Sequence, residues 1–295
     1  MKIFVVGSIN MDLVIRAPFM PENGMTISGS DFMTNPGGKG ANQAVSVAKL
    51  GGEAYMVGCV GNSFGNELIQ TLSGYGVNTD FVLKKEEVSS GIAVIVVVDG
   101  DNRIILNEGA NSLVDEKLID SALATASKGD IMICQLEIPQ KMVKYAFEKA
   151  KKIGMTTIFN PAPAAKLIDG ILENVDIINT NQSETEFYTG IYPKDLNTQH
   201  EAAIKLQHLG VNTVLITLGT NGSCVIKDGK YSHVNSYKVE AVDTTAAGDT
   251  YIGAFATKLS KGASFEEAMD FASKASSITV TRHGAQVAIP YLNEL

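Results

Sequence analysis

Two aspartates, Asp243 and Asp249, flank a run of small residues in the segment DTTAAGDT, residues 243–250. An apolar stretch of helical character follows at once, and the unpaired amides at a helix N-terminus attract anions. A carboxylate in the same turn has the wrong charge to bind a phosphate, but it is well placed to accept a proton beside one. This combination favours phosphoryl transfer to a hydroxyl, with Asp249 as the general base. From these residues alone, a plain helix-capping role for Asp249 stays equally open.

A second glycine-rich segment, NPGGKGANQA at residues 35–44, contains a lysine and suggests a ligand-binding loop. It is not a Walker A loop, because Gly40 follows Lys39 where serine or threonine is required, and no G-x-G-x-x-G occurs either. Its glycines allow the backbone to approach a ligand closely. Lys39 and Asn42 could then donate hydrogen bonds to a sugar or polyol.

Polar residues follow several apolar runs of the chain, in the segments GSIN, NP, NTN and TLGTNG. Ligands of open α/β sheets bind at the carboxyl ends of the strands, which makes Asn10, Asp12, Asn181 and Gly219 candidates. For any single turn, the simpler interpretation is that Asn, Gly and Ser are ordinary turn formers. Their clustering at one sheet edge is what favours a binding site.

Composition and missing motifs argue against several classes of function. The net charge of −8 and the lack of a Lys/Arg cluster argue against a nucleic-acid partner. The four histidines are scattered, and neither C-x-x-C nor H-E-x-x-H is present, so no metal cage is expected. The lack of a G-x-S-x-G elbow argues against a serine hydrolase.

The cysteines and the N-terminus bear on location. Cys59, Cys134 and Cys224 lie far apart in apolar runs, which indicates buried thiols in a reducing compartment. The start of the chain lacks the features of a signal peptide, and no run reaches the ~18 apolar residues that span a bilayer. We therefore expect a cytoplasmic protein without a membrane partner.

Short apolar runs alternate with helical stretches along most of the chain. This alternation predicts one α/β domain over residues 1–295, with a mostly parallel sheet and helices on both faces. The predicted strands are KIFVVGS, EAYMVGCVG, DIMICQLE, TTIFNPAP, VDIINTN and TVLITLG. Helices are predicted at 40–51, 63–74, 139–153 and 199–209, and in the tail from residue 265.

Two regions break the alternation. Residues 12–35 contain two short β-like runs around a Pro/Gly turn, and residues 91–107 contain two β-rich runs joined by DGDN, a hairpin signal. Together they predict a small second sheet, placed as a lid.

With these segments assembled, the chain resembles the phosphofructokinase-B family of carbohydrate kinases, and within it the ribokinase group. The likeness covers essentially the whole chain, and the acidic QLE and NQSE segments at 135–137 and 181–184 match as well. Four motifs stand in the order and spacing of that family: GSINMDLV (7–14), NPGGKGANQA (35–44), DTTAAGDTYIGAF (243–255) and TRHGAQ (281–286).

The resemblance implies a doubly wound α/β domain with a small β lid that serves as a homodimer interface. It also implies ATP-dependent phosphorylation of D-ribose at O5, with Mg²⁺ accompanying ATP and K⁺ as a monovalent activator. Asp249 would deprotonate the primary hydroxyl of the sugar for attack on the γ-phosphate. The amides of Ala246, Ala247 and Gly248 would form the anion hole.

The resemblance assigns further residues by position. The sugar-binding set is Asn10, Met11, Asp12, Gly38, Lys39, Gly40, Asn42, Glu137 and Asp249. The ATP-binding set is Asn181, Thr217, Leu218, Gly219, Thr220, Asn221, Gly222, Gly248 and Ser273, with Glu184 organising Mg²⁺ through water. The monovalent-cation set is Asp243 with the carbonyls of Thr245, Thr279, Arg282, Gly284 and Ala288. Ala288 stands where the family commonly has serine, and Ser273 where it commonly has a larger polar residue, so weaker contacts are expected at both.

Two other functions stay open. A sister kinase for deoxyribose, another sugar or a nucleoside would differ in only a few contacts around Asn10, Asp12 and Asn42. A non-catalytic sugar-binding regulator on the same fold would be expected to lose the base or the anion hole, whereas Asp249 and Gly248 are present.

Overall fold

A nine-stranded sheet forms the centre of the protein in the computed structural model, which describes residues 1–295. The strands are β1 (Lys2–Val6), β2 (Asn10–Arg16), β3 (Ser30–Gly37), β4 (Glu53–Gly61), β5 (Asn78–Lys85), β6 (Gly91–Val98), β7 (Asp101–Asn107), β8 (Ile131–Cys134), β9 (Thr156–Phe159), β10 (Ile177–Asn181), β11 (Thr213–Thr217), β12 (Ser223–Lys227) and β13 (Lys230–Val234). The α-helices are α1 (Lys39–Lys49), α2 (Gly65–Gly74), α3 (Glu116–Leu123), α4 (Gln140–Ile153), α5 (Gln182–Thr189), α6 (Leu196–His208), α7 (Ala247–Ser260) and α8 (Phe265–Thr279).

The large sheet has the strand order β13-β12-β11-β10-β9-β8-β1-β4-β5. All its strands run in the same direction except β12, which pairs antiparallel with β11 on one side and with the edge strand β13 on the other. The chain moves outward from β1 in one direction through β4 and β5, and in the other through β8 to β11. This reversal of direction makes the β1–β8 boundary a switch point, where open α/β sheets form a crevice. The prediction of a mostly parallel α/β sheet is confirmed.

The large sheet is covered on both faces because its strands are apolar on both faces. In β1, Ile3 and Val5 pack in the core cluster that contains residues of α1, α7 and α8. Phe4 and Val6 point the other way and pack with residues of α3, α4 and α6. Side chains of a strand alternate between faces, so a continuous apolar run can be buried only between two helical layers.

None of the helices is long and apolar enough to cross a bilayer.

The close packing of α1 against α7 positions the two glycine-rich motifs. Ser46 of α1 donates a hydrogen bond from Oγ to the carbonyl of Thr250 in α7 at 2.9 Å. Gly253 faces the same contact, and a Cβ at this position would lie 2.4 Å from Cβ of Ser46. The two helices can approach this closely only because Gly253 has no side chain.

The second sheet contains four strands in the order β3-β2-β6-β7, so the prediction of a small separate sheet is confirmed. Strands β6 and β7 form an antiparallel hairpin whose two-residue turn is Asp99–Gly100. Both turn residues have positive φ, 51° and 85°, which matches the twist that such hairpins require.

Two details of the sequence-based assignment were wrong. The polar segment GSIN was expected to precede a helix, as in a βα unit, but the chain continues directly into β2, whose first residue is Asn10. The strands β5, β12 and β13 and the helices α3 and α5 were not predicted. The two edge strands among them, β5 and β13, are only partly buried, so they lack the continuous apolar runs that marked the central strands.

Candidate active site

Asp249 lies in the first turn of α7 and is held by two amides from α1. Asn42 donates from Nδ2 to one carboxylate oxygen at 3.0 Å, and Gln43 donates from Nε2 to the other at 2.9 Å. The side chain is buried, with 8% of its surface exposed. The N-cap of α7 is Ala246, so the alternative in which Asp249 caps the helix is wrong. The carboxylate is instead oriented across the gap between two helices.

The N-terminus of α7 has free amide donors beside this carboxylate. Ala246 adopts a left-handed conformation with φ 59°, which costs a non-glycine residue about 1 kcal/mol. The amides of Ala246, Gly248 and Asp249 donate no hydrogen bond within the protein, whereas the amide of Ala247 bonds to the carbonyl of Thr244 at 3.2 Å. The turn is therefore able to bind an anion through the free amides of Ala246 and Gly248, whereas the amide of Ala247 is already engaged. The anion hole stays a prediction.

Glu137 follows β8 and gathers residues that are far apart in the sequence. Its Oε2 accepts hydrogen bonds from the Ser8 hydroxyl at 2.5 Å, the Lys39 amide at 3.1 Å and Asn10 Nδ2 at 3.5 Å. Asn10 is fixed at its other end by Asn111, whose Nδ2 donates to Asn10 Oδ1 at 2.7 Å. The crevice at the β1–β8 boundary thus contains a polar cluster in the position that the fold favours for a ligand.

Three carboxylates and one ammonium make this crevice strongly polar. Burial, together with the negative charges of Glu137 and Asp249, raises the pKa of Asp12 to about 7. Asp12 accepts no hydrogen bond from the protein, which leaves both of its oxygens available to a ligand. Burial disfavours the charged form of Lys39, but Asp249, Glu137 and Glu184 outweigh this effect and raise its pKa. Lys39 therefore remains a cation between these carboxylates.

Gly38 lets the loop before α1 approach β1 and β2. It has φ 90°, and a Cβ there would lie 2.8 Å from the amide nitrogen of Asn10 and 2.9 Å from the carbonyl oxygen of Ser8. Any side chain would push the loop away from Asn10 and Glu137. The amide of the neighbouring Gly40 donates to the Ser8 hydroxyl at 3.3 Å.

The predicted nucleotide-binding residues lie at the carboxyl ends of two neighbouring strands. Asn181 ends β10 and is paired in register with Thr217, which ends β11. The turn that follows is closed by a hydrogen bond from the Leu218 amide to the Gly222 carbonyl at 2.8 Å, which leaves Gly219, Thr220 and Asn221 exposed. Ser273, in α8, is buried.

Glu184 forms a capping box with Asn181 at the start of α5. Its carboxylate accepts from the Asn181 amide at 2.9 Å, and its own amide donates to Asn181 Oδ1 at 2.8 Å. Burial raises the pKa of Glu184, although the Asn181 amide and the charge of Lys39 act in the opposite direction. No group of three or more His, Cys, Asp or Glu side chains is arranged to hold a metal ion. A divalent ion at Glu184 would need most of its ligands from a nucleotide and water, as Mg²⁺ commonly does.

Asp243 joins the segment before α7 to the loop after α8. One carboxylate oxygen accepts from the Thr245 amide at 2.9 Å and the other from the Gly284 amide at 3.0 Å. Burial opposes ionisation of this carboxyl, but these hydrogen bonds prevail and lower its pKa. One of the five predicted carbonyl ligands is already engaged, because the carbonyl of Thr279 accepts a hydrogen bond from the Arg282 amide at 3.1 Å. The other four accept no hydrogen bond, namely the carbonyls of Thr245, Arg282, Gly284 and Ala288. This oxygen-rich set fits a monovalent cation.

Most of the predicted sugar-binding residues come together, with one difference and several additions. Met11 is fully buried in the core, so its side chain does not reach the crevice. The sequence-based prediction missed Gln43, Ser8 and Asn111, which hold predicted site residues in place. Gln43 could have been noticed, because a glutamine inside the otherwise small and apolar run ANQAVSVA needs a buried partner.

A family model for the pfkB family carbohydrate kinases matches residues 1–292. Among curated proteins, a ribokinase from Schizosaccharomyces pombe is 42% identical over 306 residues, covering 100% of this chain and 96% of the relative. A ribokinase from Haemophilus influenzae is 39% identical over 292 residues, which cover 98% of this chain and 95% of the relative. A deoxyribokinase from Salmonella typhimurium is 34% identical over 297 residues, which cover 100% of this chain and 97% of the relative.

A solved structure has the same fold. The structure of an Arabidopsis thaliana ribokinase in complex with ribose and ATP has a TM-score of 0.92 and 32% sequence identity, covering 99% of this chain and 96% of that one. The chain belongs to the pfkB family of carbohydrate kinases. The predictions of a carbohydrate kinase and of a resemblance to ribokinases are therefore confirmed.

Proposed function

We propose that the protein transfers the γ-phosphoryl group of ATP to O5 of D-ribose, with Asp249 as the general base. The observation that carries this proposal is the buried Asp249 carboxylate, fixed by Asn42 and Gln43 beside free amides of a helix N-terminus. The full-length similarity to ribokinases supports ribose as the substrate.

In the reaction, the carboxylate of Asp249 takes the proton of the sugar's primary hydroxyl. The hydroxyl oxygen then bonds to the γ-phosphorus while the bond from that phosphorus to the ADP oxygen breaks. Negative charge on the transferring group is stabilised by the amides of Ala246 and Gly248 and by the Lys39 ammonium. Asn42 and Gln43 each occupy one carboxylate oxygen, which limits the rotation of the base.

The sugar hydroxyls are bound by Asn10, Asp12, Asn42 and Glu137, together with the loop at 38–40. Asn42 supports this assignment because its Oδ1 is buried without a hydrogen-bond partner. A buried acceptor without a donor costs about 1–3 kcal/mol, which a sugar hydroxyl would recover. ATP is bound as its Mg²⁺ complex by Asn181 and residues 217–222, with Gly248 and Ser273 nearby and Glu184 at the water-coordinated Mg²⁺.

Asp243 and the carbonyls of Thr245, Thr279, Arg282, Gly284 and Ala288 would hold K⁺. When bound, the ion supplies positive charge that orders the two segments it joins. Within the protein, Asp243 already links those segments through the Thr245 and Gly284 amides. Thr245 precedes the anion-binding turn directly, so the position of this segment affects the free amides.

The activity is tested by measuring ADP release with MgATP and ribose, 2-deoxyribose, fructose or adenosine, each with and without K⁺. We expect preference for ribose and stimulation by K⁺. Turnover of deoxyribose alone would indicate a deoxyribose kinase, the second candidate, which the full-length similarity to a deoxyribokinase supports. Sugar binding without ADP release on any substrate would indicate a sugar-binding regulator and contradict the proposed reaction.

Ribose binding is expected to tighten about tenfold between pH 6 and pH 8 because of Asp12. The pKa of Asp12 is about 7 in the free protein, and hydroxyl donors from the sugar favour the ionised form and lower it in the complex. Binding then releases a proton below pH 7, so affinity rises with pH and levels off above it. Calorimetry in two buffers of different ionisation enthalpy measures that proton.

The matched variant for this pH dependence is Asp12→Asn, which has the same shape but cannot ionise. It should bind ribose weakly and without the tenfold change. Retention of the full pH dependence in this variant would assign the titration to another group.

A homodimer through the second sheet is also part of the proposal. Ile105 is 71% exposed and pairs in register with Val94, 38% exposed, and Phe32 on β3 is 65% exposed. Such a concentration of large apolar side chains on one small sheet is typical of an interaction surface. A second copy of this chain is the partner we propose, with the sheet closing over the crevice as a lid.

Ile105→Glu is expected to convert the dimer to a monomer in analytical ultracentrifugation, because it places a charge in an apolar interface. Ile204→Glu is the control, since Ile204 is also an exposed isoleucine, at 48%, but lies on α6. A wild-type monomer, or an Ile105→Glu dimer, would contradict the interface.

We place this reaction in the cytoplasm. That compartment supplies ATP and the reducing conditions in which three buried, unpaired cysteines persist.

A further inference from the structure

Lys49, the last residue of α1, is a buried lysine that takes no part in the proposed reaction. Only 5% of its surface is exposed. Its Nζ donates hydrogen bonds to the backbone carbonyls of Gln286 at 2.7 Å and Ile289 at 2.9 Å. It forms no ion pair with a carboxylate. A buried ammonium is costly unless it is well coordinated, so its partners indicate what it does.

Two aromatic rings complete the surroundings of this ammonium. Nζ lies 4.3 Å from the ring centroid of Tyr75 and 4.8 Å from that of Tyr291. Both distances are within the range of favourable cation–π contacts. Burial lowers the pKa of Lys49 to about 8, partly offset by the negative charge of Glu294, so the ammonium prevails at neutral pH. The Lys49 ammonium is therefore a buried cation coordinated by two backbone carbonyls and two aromatic rings.

The carbonyls that Lys49 holds belong to the loop at 282–289, which contains three of the proposed K⁺ ligands: Arg282, Gly284 and Ala288. Gln286 and Ile289 lie on either side of Ala288 in the sequence, and Gln286 is two residues from Gly284. The same loop is fixed on the other side by Asp243, through the Gly284 amide. Arg282, the first residue of this loop, forms an ion pair at 2.5 Å with Glu294, which lies beyond the end of the loop.

Helix α1 connects this loop to the catalytic base. Asn42 and Gln43, near its N-terminal end, hold Asp249, while Lys49, at its C-terminal end, holds the loop. A helix of this length behaves as one rigid element, so the loop and the base are positioned by the same body. Loss of the Lys49 contacts would release only the loop.

We propose that Lys49 is a positioning residue for the 282–289 loop, holding its carbonyls in place for a monovalent cation. This inference rests on the proposed cation site and adds to it a residue that contacts neither the ion nor the substrates. Removing the ammonium would leave two buried carbonyls unpaired and let the loop fluctuate. The protein would then need more K⁺ to order the same segment.

The test compares Lys49→Met, which keeps an unbranched apolar side chain, with Lys49→Arg, which keeps the charge and the donors. Lys258→Met is the control, since Lys258 also lies over an aromatic ring, that of Phe271 at 4.5 Å. Tyr291→Leu is a milder variant that removes one ring and leaves Lys49 in place. Amide hydrogen exchange of residues 280–290 is measured without substrates, and K⁺ titrations of ribose phosphorylation follow.

We expect Lys49→Met to speed exchange in residues 280–290 by about tenfold and to raise the half-activating K⁺ concentration by about tenfold, as loss of a charged hydrogen-bond donor does. The KM for ribose at saturating K⁺ should stay within about twofold of wild type, because α1 and Asn42 are unchanged. Lys49→Arg and the control should resemble wild type, and Tyr291→Leu should change both readouts in the direction of Lys49→Met.

Unchanged exchange in Lys49→Met and Tyr291→Leu would overturn the inference, whatever their activity. Faster exchange with an unchanged K⁺ requirement would overturn it as well, because the loop would then be irrelevant to the cation. A wild-type enzyme that phosphorylates ribose equally well with and without K⁺ would contradict the cation site itself. That result is read before any variant is made, so the two failures are distinguishable.

Discussion

Asp249→Asn is expected to lower kcat by about 10³-fold while leaving the dissociation constant for ribose within about threefold of wild type. Asparagine has nearly the same shape, but its amide cannot accept the hydroxyl proton. Asn42 and Gln43 both donate to the wild-type carboxylate, and the asparagine would place its own NH₂ group, also a donor, against one of them. One hydrogen bond is therefore lost, and the free energy of unfolding falls by about 1 kcal/mol. Single-turnover ADP formation and equilibrium ribose binding separate the two effects.

Asp12→Asn is the matched comparison, because it makes the same chemical change at another carboxylate of the crevice. It should weaken ribose binding and leave kcat at saturating sugar within about tenfold of wild type, the reverse of the Asp249→Asn pattern. If Asp249→Asn kept more than a small fraction of wild-type turnover, the assignment of the base would be wrong.

Asp243→Ala is expected to abolish the stimulation of activity by K⁺ before it prevents folding. Asp243 is the one charged group among the proposed ligands, and the remaining ligands are neutral carbonyls. The variant also loses the hydrogen bonds from the Thr245 and Gly284 amides, which lie at or near the surface, so we expect only a moderate fall in melting temperature. Activity at increasing K⁺, together with thermal unfolding, measures both effects.

Asp243→Asn separates the charge of this residue from its hydrogen bonds. It keeps one oxygen that can accept an amide, so the link between the segments is partly retained while the negative charge is removed. We expect it to lose K⁺ stimulation nearly as fully as Asp243→Ala, with a smaller change in melting temperature. Persistence of normal K⁺ stimulation in both variants would reject the cation site.

The class of fold and the glycine-rich loops that border the crevice were accessible from the amino-acid sequence alone. Buried strands such as β1 and β4 appear as short apolar runs, because both faces of a parallel sheet are covered. The Asp99–Gly100 turn and the glycines around Lys39 have local conformational requirements that few other residues meet. Patterns of this kind depend on neighbours in the sequence, so they can be read without a structure.

Only the tertiary structure decided how the site residues are held. Gln43 and Asp249 are 206 positions apart, Ser8 and Glu137 are 129 apart, and Lys49 and Gln286 are 237 apart. No local pattern specifies such pairs, because they arise when helices and strands pack. For the same reason the sequence could not show that Met11 points into the core or that Asp249 lies past the N-cap. The orientation of each side chain follows from the pleat of its strand and the packing of its helix, which the whole fold determines.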